Sequence, residues 1–132
     1  MKQEVKAFLD TVAGRRAQQV QRQDSAVKAN YALDDQSPRA VVKAERDGKV
    51  TAFEFIETSQ TAAVHANMED YVFAANEFGT VSIALPESDY TPAIAVTILG
   101  DLRGRIVKGG ATREFTFAGY LYDGMGNFRK LL

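Results

Sequence analysis

The sequence predicts an α+β fold: an N-terminal helix, a β-hairpin, a second helix, and a mainly antiparallel sheet completed by a C-terminal β-meander. Three observations carry that expectation. Apolar residues recur at helical spacing near the N-terminus, Asp47-Gly48 separates two strand-like segments, and a second helical stripe closes on Gly79 before a series of short β-rich runs. The chain has 132 residues, 45% hydrophobic and 25% charged, which suits one domain over residues 1–132 with a core of its own.

Between Gln3 and about Arg22, the residues Val5, Phe8, Leu9, Val12, Ala13 and Val20 form one apolar stripe, with Lys6, Asp10, Arg15 and Arg16 on the other side. Gly14 weakens this helix locally. Asp24-Ser25 predicts a stop followed by an N-cap for a short second helical piece, Ala26 to Leu33, before Asp34-Asp35-Gln36-Ser37-Pro38 breaks the pattern. Arg39 to Arg46 and Lys49 to Glu57 are read as strands joined by Asp47-Gly48, a dipeptide suited to a type I′ turn because both of its residues adopt positive φ. Counting outward from the turn pairs Val42 with Phe53, Ala40 with Phe55 and Ala44 with Thr51 on a core face. The same count pairs Val41 with Glu54 and Lys43 with Ala52 on the other face.

Further along, Val64, Met68, Tyr71, Val72, Ala75 and Phe78 share one helical face, with Ser59 placed to cap the start and Gly79 the end. Thr80 to Leu85 follows as a strand ended by Pro86. The run Ala93 to Leu99 is almost wholly apolar and rich in β-branched residues, which predicts a central strand covered on both faces. Arg103 to Lys108, Arg113 to Tyr122 and Asn127 to Leu131 are then read as a meander, turning at Gly109-Gly110 and at Asp123-Gly124-Met125-Gly126.

Composition excludes several chemistries. No cysteine is present, so disulfides, thiolate nucleophiles and cysteine-based zinc sites are ruled out together. His65 is the only histidine, so no second imidazole can join it at a transition metal, and no metal or cofactor is expected. A Gly-x-Ser-x-Gly elbow is absent, and Gly100 to Arg105 reads as a hairpin turn and not as a phosphate loop. The N-terminal segment lacks the apolar run of a signal peptide and no stretch nears the roughly 20 apolar residues of a membrane span, which predicts a cytoplasmic protein without a membrane partner. Net charge is −1. It divides into +3, −7 and +3 over residues 1–32, 33–90 and 91–132, so a nucleic-acid surface is expected only on the flanks.

From Ser37 to Leu85 the order strand, tight turn, strand, helix, strand places Glu54 in mid-strand. With the helix before it, this segment (residues 3–85) resembles the core of the restriction-endonuclease-like superfamily, through Ser37-Pro38-Arg39 and the phrase Asp47-Gly48-Lys49-Val50-Thr51-Ala52-Phe53-Glu54. That resemblance implies a divalent-metal site formed by an Asp opening the first hairpin strand and an acid-x-Lys triplet on the second. Arg39 stands where the Asp is expected and Ile56 where the Lys is expected, so only Glu54 matches. One carboxylate beside a guanidinium does not make the oxygen-rich shell that magnesium prefers, and Arg39 is expected to pair with Glu54 instead.

Binding is therefore expected in place of catalysis. The leading reading is a small non-enzymatic interaction protein with an accessory or mobile-element role, taking a protein partner or a second copy through an edge strand or through an exposed face bearing Tyr120 and Tyr122. A second reading is a nucleic-acid-associated domain that has lost its metal ligands and uses Arg103 and Arg105 beside the aromatic residues of the C-terminal segment. A third is a small-molecule enzyme with a pocket between the second helix and the sheet that employs His65 or Glu54.

Overall fold

A computed structural model describes residues 1–34, 36–62 and 67–132, so Val64 and His65 lie outside the described residues. Helix α1 (Gln3–Gln23) buries Leu9, Val12, Ala13, Arg16 and Ala17, whose offsets of three, one, three and one trace a single face. Strands β1 (Val27–Leu33), β2 (Ala40–Arg46) and β3 (Lys49–Ile56) follow, then helix α2 (Met68–Phe78), strand β4 (Thr80–Pro86), helix α3 (Pro92–Lys108), and strands β5 (Thr116–Tyr122) and β6 (Phe128–Lys130). The six strands lie in sequence order in one sheet. β3, β4 and β5 are mutually parallel, joined by crossovers through α2 and α3, and the outer pairings are antiparallel. Three layers result. α1 packs on Ala40, Val42, Ile56, Ala84 and Tyr122, while α2 and α3 pack on Phe55, Val81, Ile83, Leu85 and Leu121 across the sheet.

The class is α+β as expected, but the sheet is mixed, and the reason lies in α3. Residues 93–99 form the first half of a helix and not a central strand. Ala95, Leu99, Leu102 and Ile106 are its buried positions, at offsets of four, three and four, while Ile94 and Val96 are exposed. Pro92 opens the helix and the Thr91 hydroxyl accepts from the Ile94 N–H at 3.3 Å, a capping arrangement that overrides the β preference of the run. The anticipated strand Arg103 to Lys108 is the rest of this helix, so β4 and β5 are joined in parallel and not by a meander.

The segment Ala26 to Leu33 is likewise a strand and not a helix. Asp24 Oδ1 accepts from the Ala26 N–H at 2.9 Å, closing a side-chain turn that ends α1 and sends the chain back along β2 in seven consecutive pairs. At the other end of the hairpin the turn is as expected, with Asp47 at φ 52° and Gly48 at φ 76°, and Arg46 opposite Lys49. A β-bulge then intervenes, because Glu45 faces Val50 but Ala44 faces Ala52, leaving Thr51 as the extra residue. Every pair beyond it is displaced: Val42 faces Glu54, Val41 faces Phe55 and Lys43 faces Phe53.

That displacement decides which side chains meet which layer. Phe53 and Phe55 turn toward α2, where Phe53 stacks on Phe78 at 4.8 Å and Phe55 meets Tyr71 edge-on at 4.9 Å. Glu54 turns toward α1. α2 begins at Met68, after a turn in which the Ala62 N–H donates to Thr58 O at 2.8 Å, so Ser59 does not cap it. Its end is as expected: Gly79 adopts φ 69° and donates its N–H to Ala75 O. Among the described residues no helix is long and apolar enough to cross a membrane.

Candidate functional site

Two buried arginine–carboxylate clusters lie back to back on the sheet, both held by β3 and the residue just after it. On the α1 side, Arg16 Nε donates to Glu54 Oε2 at 2.7 Å and Arg16 Nη2 donates to Glu54 Oε1 at 3.1 Å. Ser82 on β4 adds a third donor, its hydroxyl reaching Glu54 Oε1 at 2.8 Å. The guanidinium is enclosed between the rings of Tyr120 and Phe128, at 4.6 and 4.7 Å from their centroids. Burial opposes the charge on Arg16, and the hydrogen bond and charge of Glu54 more than offset it, so its pKa is raised.

On the α2 side, Arg39 makes a two-pronged contact with Glu57, Nε to Oε1 at 2.8 Å and Nη2 to Oε2 at 3.0 Å. Its third nitrogen, Nη1, donates to Asp70 Oδ2 at 2.6 Å and to Asn67 Oδ1 at 3.1 Å. The Glu57 carboxylate also accepts from the Tyr71 hydroxyl, from Thr61 Oγ1 at 3.3 Å and from Asn67 Nδ2 at 3.4 Å. Its backbone carbonyl accepts from the Tyr122 hydroxyl at 2.6 Å. Burial pushes the Glu57 carboxyl above its ordinary range against the pull of Arg39. Burial and then the charge of Glu57 push the phenols of Tyr71 and Tyr122 up as well. No buried side-chain nitrogen or oxygen among the described residues lacks a partner.

The central ion pairs of both clusters are buried, although Asp70 at the edge of the second is 55% exposed. Arg39 is 2% exposed, Glu54 4% and Glu57 0%. None of the three lines any of five surface concavities formed by the described residues. Those concavities sit elsewhere. A cleft of about 260 Å³ at the carboxyl ends of β3 and β4 is lined by Phe8, Pro38, Thr58, Gln60, Pro86 and Tyr122. A shallow groove between α2 and α3 is lined by Met68, Val72, Phe73, Arg105 and Lys108. A third, between α1 and the outer strand β1, holds Gly14, Ala17, Gln21 and Arg22. No group of three or more metal-ligating side chains occurs among the described residues.

The residues singled out in the sequence are thus distributed differently from the expectation. Arg39 and Glu54 are not paired: the bulge puts them on opposite faces, and each takes another partner, Glu57 and Arg16 respectively. Tyr122 is buried at 1% exposure beneath α1, not displayed on a face, and Tyr120 covers Arg16. Arg103 and Arg105 are exposed on α3, where Arg105 Nε meets Asp101 at 2.9 Å. They do not share a sheet face with the C-terminal aromatics. Phe117 packs against the core under α3, while half-buried Phe115 packs there and also lines a surface concavity with Arg103 and Arg113, so only this part of the anticipated mixture of basic and stacking side chains is brought together. His65 lies outside the described residues, so the pocket expected beside it is not described.

The ion partners of Glu54 and Arg39 were not recognised as such, Arg16 having been placed on the solvent side of its helix. Arg16 follows Leu9 by seven positions and so belongs to the buried stripe, and Glu57 follows Glu54 by three and so belongs to the opposite face of the strand. No protein-family model matches this sequence, and no curated protein shows significant similarity to it.

Proposed function

We propose that this chain is a non-enzymatic interaction protein on a restriction-endonuclease-like scaffold whose carboxylates have been turned inward as structural ion pairs. The order helix, three antiparallel strands, helix, strand over residues 3–86 supports the scaffold, and the environment of Glu54 supports the loss of chemistry. Glu54, the one matching position, accepts three hydrogen bonds from Arg16 and Ser82. A divalent cation bound there would have to displace a guanidinium whose charge is already neutralised, and would gain one carboxylate in exchange. The same enclosure weighs against Glu54 as a base toward a small molecule, because nothing can reach it. The proposal places the protein in the cytoplasm, acting through its surface.

The test combines chemistry and binding. Purified protein with magnesium or manganese should neither cleave single-stranded or duplex DNA or RNA nor gain thermal stability from the metal. Metal-dependent cleavage that disappears in Glu54→Gln would overturn the reading. Retention of nucleic acid at low salt that is lost on neutralising Arg103 and Arg105 would replace it with the nucleic-acid reading.

A further inference from the structure

β1 is the outer strand of the sheet, and its seven residues run beside β2 without a bulge. Alternate residues of such a strand turn their N–H and C=O outward, where nothing in the sheet meets them. In β1 two of these outward groups are held by a side chain. Gln21 Nε2 donates to the Val27 carbonyl, and the Ala29 N–H donates to Gln21 Oε1 at 2.9 Å. A primary amide is a peptide group without a chain, and here it occupies the place that a peptide group of one more strand would take. Gln21 is itself exposed, so solvent or a competing chain can displace it. No side chain of the described residues bonds to the backbone of Tyr31 or Leu33 farther along the edge.

Beside this edge runs an open groove of about 580 Å³ whose other wall is α1. Ala17 and Ala29 line it with small side chains, the Tyr31 ring lies over Gly14, and Arg22 stands on its rim. No carboxylate lines the groove, and neither Arg22 nor Lys28 on β1 has an ionic partner among the described residues. An edge strand next to a helix, with a cationic rim, has the parts for binding an extended acidic segment: main-chain bonds for affinity, a helix wall for side-chain selection and charge for orientation.

We propose that β1 and α1 form a docking groove for an extended, carboxylate-bearing peptide of a partner protein, which adds to the sheet outside β1 and displaces the Gln21 side chain. This inference rests on the interaction-protein reading and names its surface. The test is a nuclear magnetic resonance titration of the full chain with a peptide of alternating Thr and Val flanked by Glu, alongside a Lys-flanked counterpart and a copy N-methylated at alternate residues. Amide shifts at Ala29 and Tyr31 should respond to the Glu-flanked peptide, and Gln21→Ala should tighten binding about fivefold by removing the internal competitor.

Ala29→Pro removes an outward donor that β2 does not use, so the strand should persist while affinity falls at least about tenfold, and N-methylation should do the same from the other side. Absence of shifts at β1 in both the native chain and Gln21→Ala would overturn the proposal, as would binding indifferent to N-methylation. Sedimentation of Gln21→Ala as a dimer would assign the edge to a second copy instead. Metal-dependent cleavage would sink the non-enzymatic reading and leave this groove standing, whereas a silent titration would sink the groove alone.

Discussion

Arg39→Met should be among the most damaging single substitutions in the molecule. Arg39 is 2% exposed and donates four hydrogen bonds, two to Glu57 and one each to Asn67 and Asp70. Methionine keeps much of the stem that lies over Phe55, whose ring centroid is 4.8 Å from the guanidinium carbon, so lost packing is a minor part of the change. What remains is a carboxylate at 0% exposure with its cation removed. Removing one partner of a buried ion pair costs about 3–5 kcal/mol. That is a large part of the roughly 5–15 kcal/mol that holds a domain of this kind together.

With an m-value of about 2 kcal/mol/M, the urea midpoint should fall by about 2 M. The chain has no tryptophan, so far-ultraviolet circular dichroism and tyrosine fluorescence are the signals to follow. Adding Glu57→Gln to Arg39→Met removes the stranded charge yet leaves an acceptor for Tyr71 and Thr61. The double variant should therefore be more stable than Arg39→Met alone by at least about 1 kcal/mol. A single variant within about 1 kcal/mol of the native chain, or a double variant less stable than the single, would refute the reasoning that an uncompensated charge dominates.

Three other outcomes follow from the packing and the titrating groups. Gly119→Ala would set a methyl 2.6 Å from Leu99 Cδ1, between β5 and α3, and should cost about 1–3 kcal/mol in thermal or urea unfolding, with Leu99→Ala relieving part of it. Tyr71 and Tyr122 have folded pKa values raised above the ordinary 10.0, so the stability they contribute is whole below that value and is lost as pH climbs beyond it. Spectrophotometric titration should find both phenols protonated until alkaline unfolding releases them. Asp123 is the opposite case: its bonds to Asn127 lower its pKa from 3.8, so its contribution is present above that value and disappears as pH falls through the lowered one. Amide shifts of Met125 and Asn127 should report that loosening of the β5–β6 turn without global unfolding.

Much of the architecture was legible because local chemistry and tertiary structure agree there. The α1 stripe, the Asp47-Gly48 turn, the Gly79 stop and the β4 run each have one dominant cause. α3 was not legible from residues 93–99 alone, since Ile94, Val96 and Ile98 favour a strand, and the helical spacing emerges only when Leu102 and Ile106 join it. The Thr91-Pro92 pair was the available signal. Of the site, Glu54 stood out by its place in the strand, but its partner did not. Arg16 was placed on the solvent side because arginine usually is, although it lies on the helix face whose neighbours are all buried. Tyr120 and Tyr122 do share a face of β5, apart from Phe117 and Leu121, but alternation along a strand does not tell that both faces of the sheet are covered.

Thr51 gives the hairpin an unusual tolerance to changes of length. It is the residue without a counterpart, and it is exposed. Deleting it leaves Ala44 opposite Ala52 and Val42 opposite Glu54, so the strand would lose its kink and keep every inward side chain. Deleting Phe55 lets no such repair occur, because keeping Ile56 opposite Ala40 would set Glu54 opposite Val41 and Phe53 opposite Val42, sending Glu54 toward α2 and Phe53 toward α1. The β3 strand therefore has one position whose deletion the bulge absorbs, a few residues from others where a single lost codon would exchange the layers that its side chains meet.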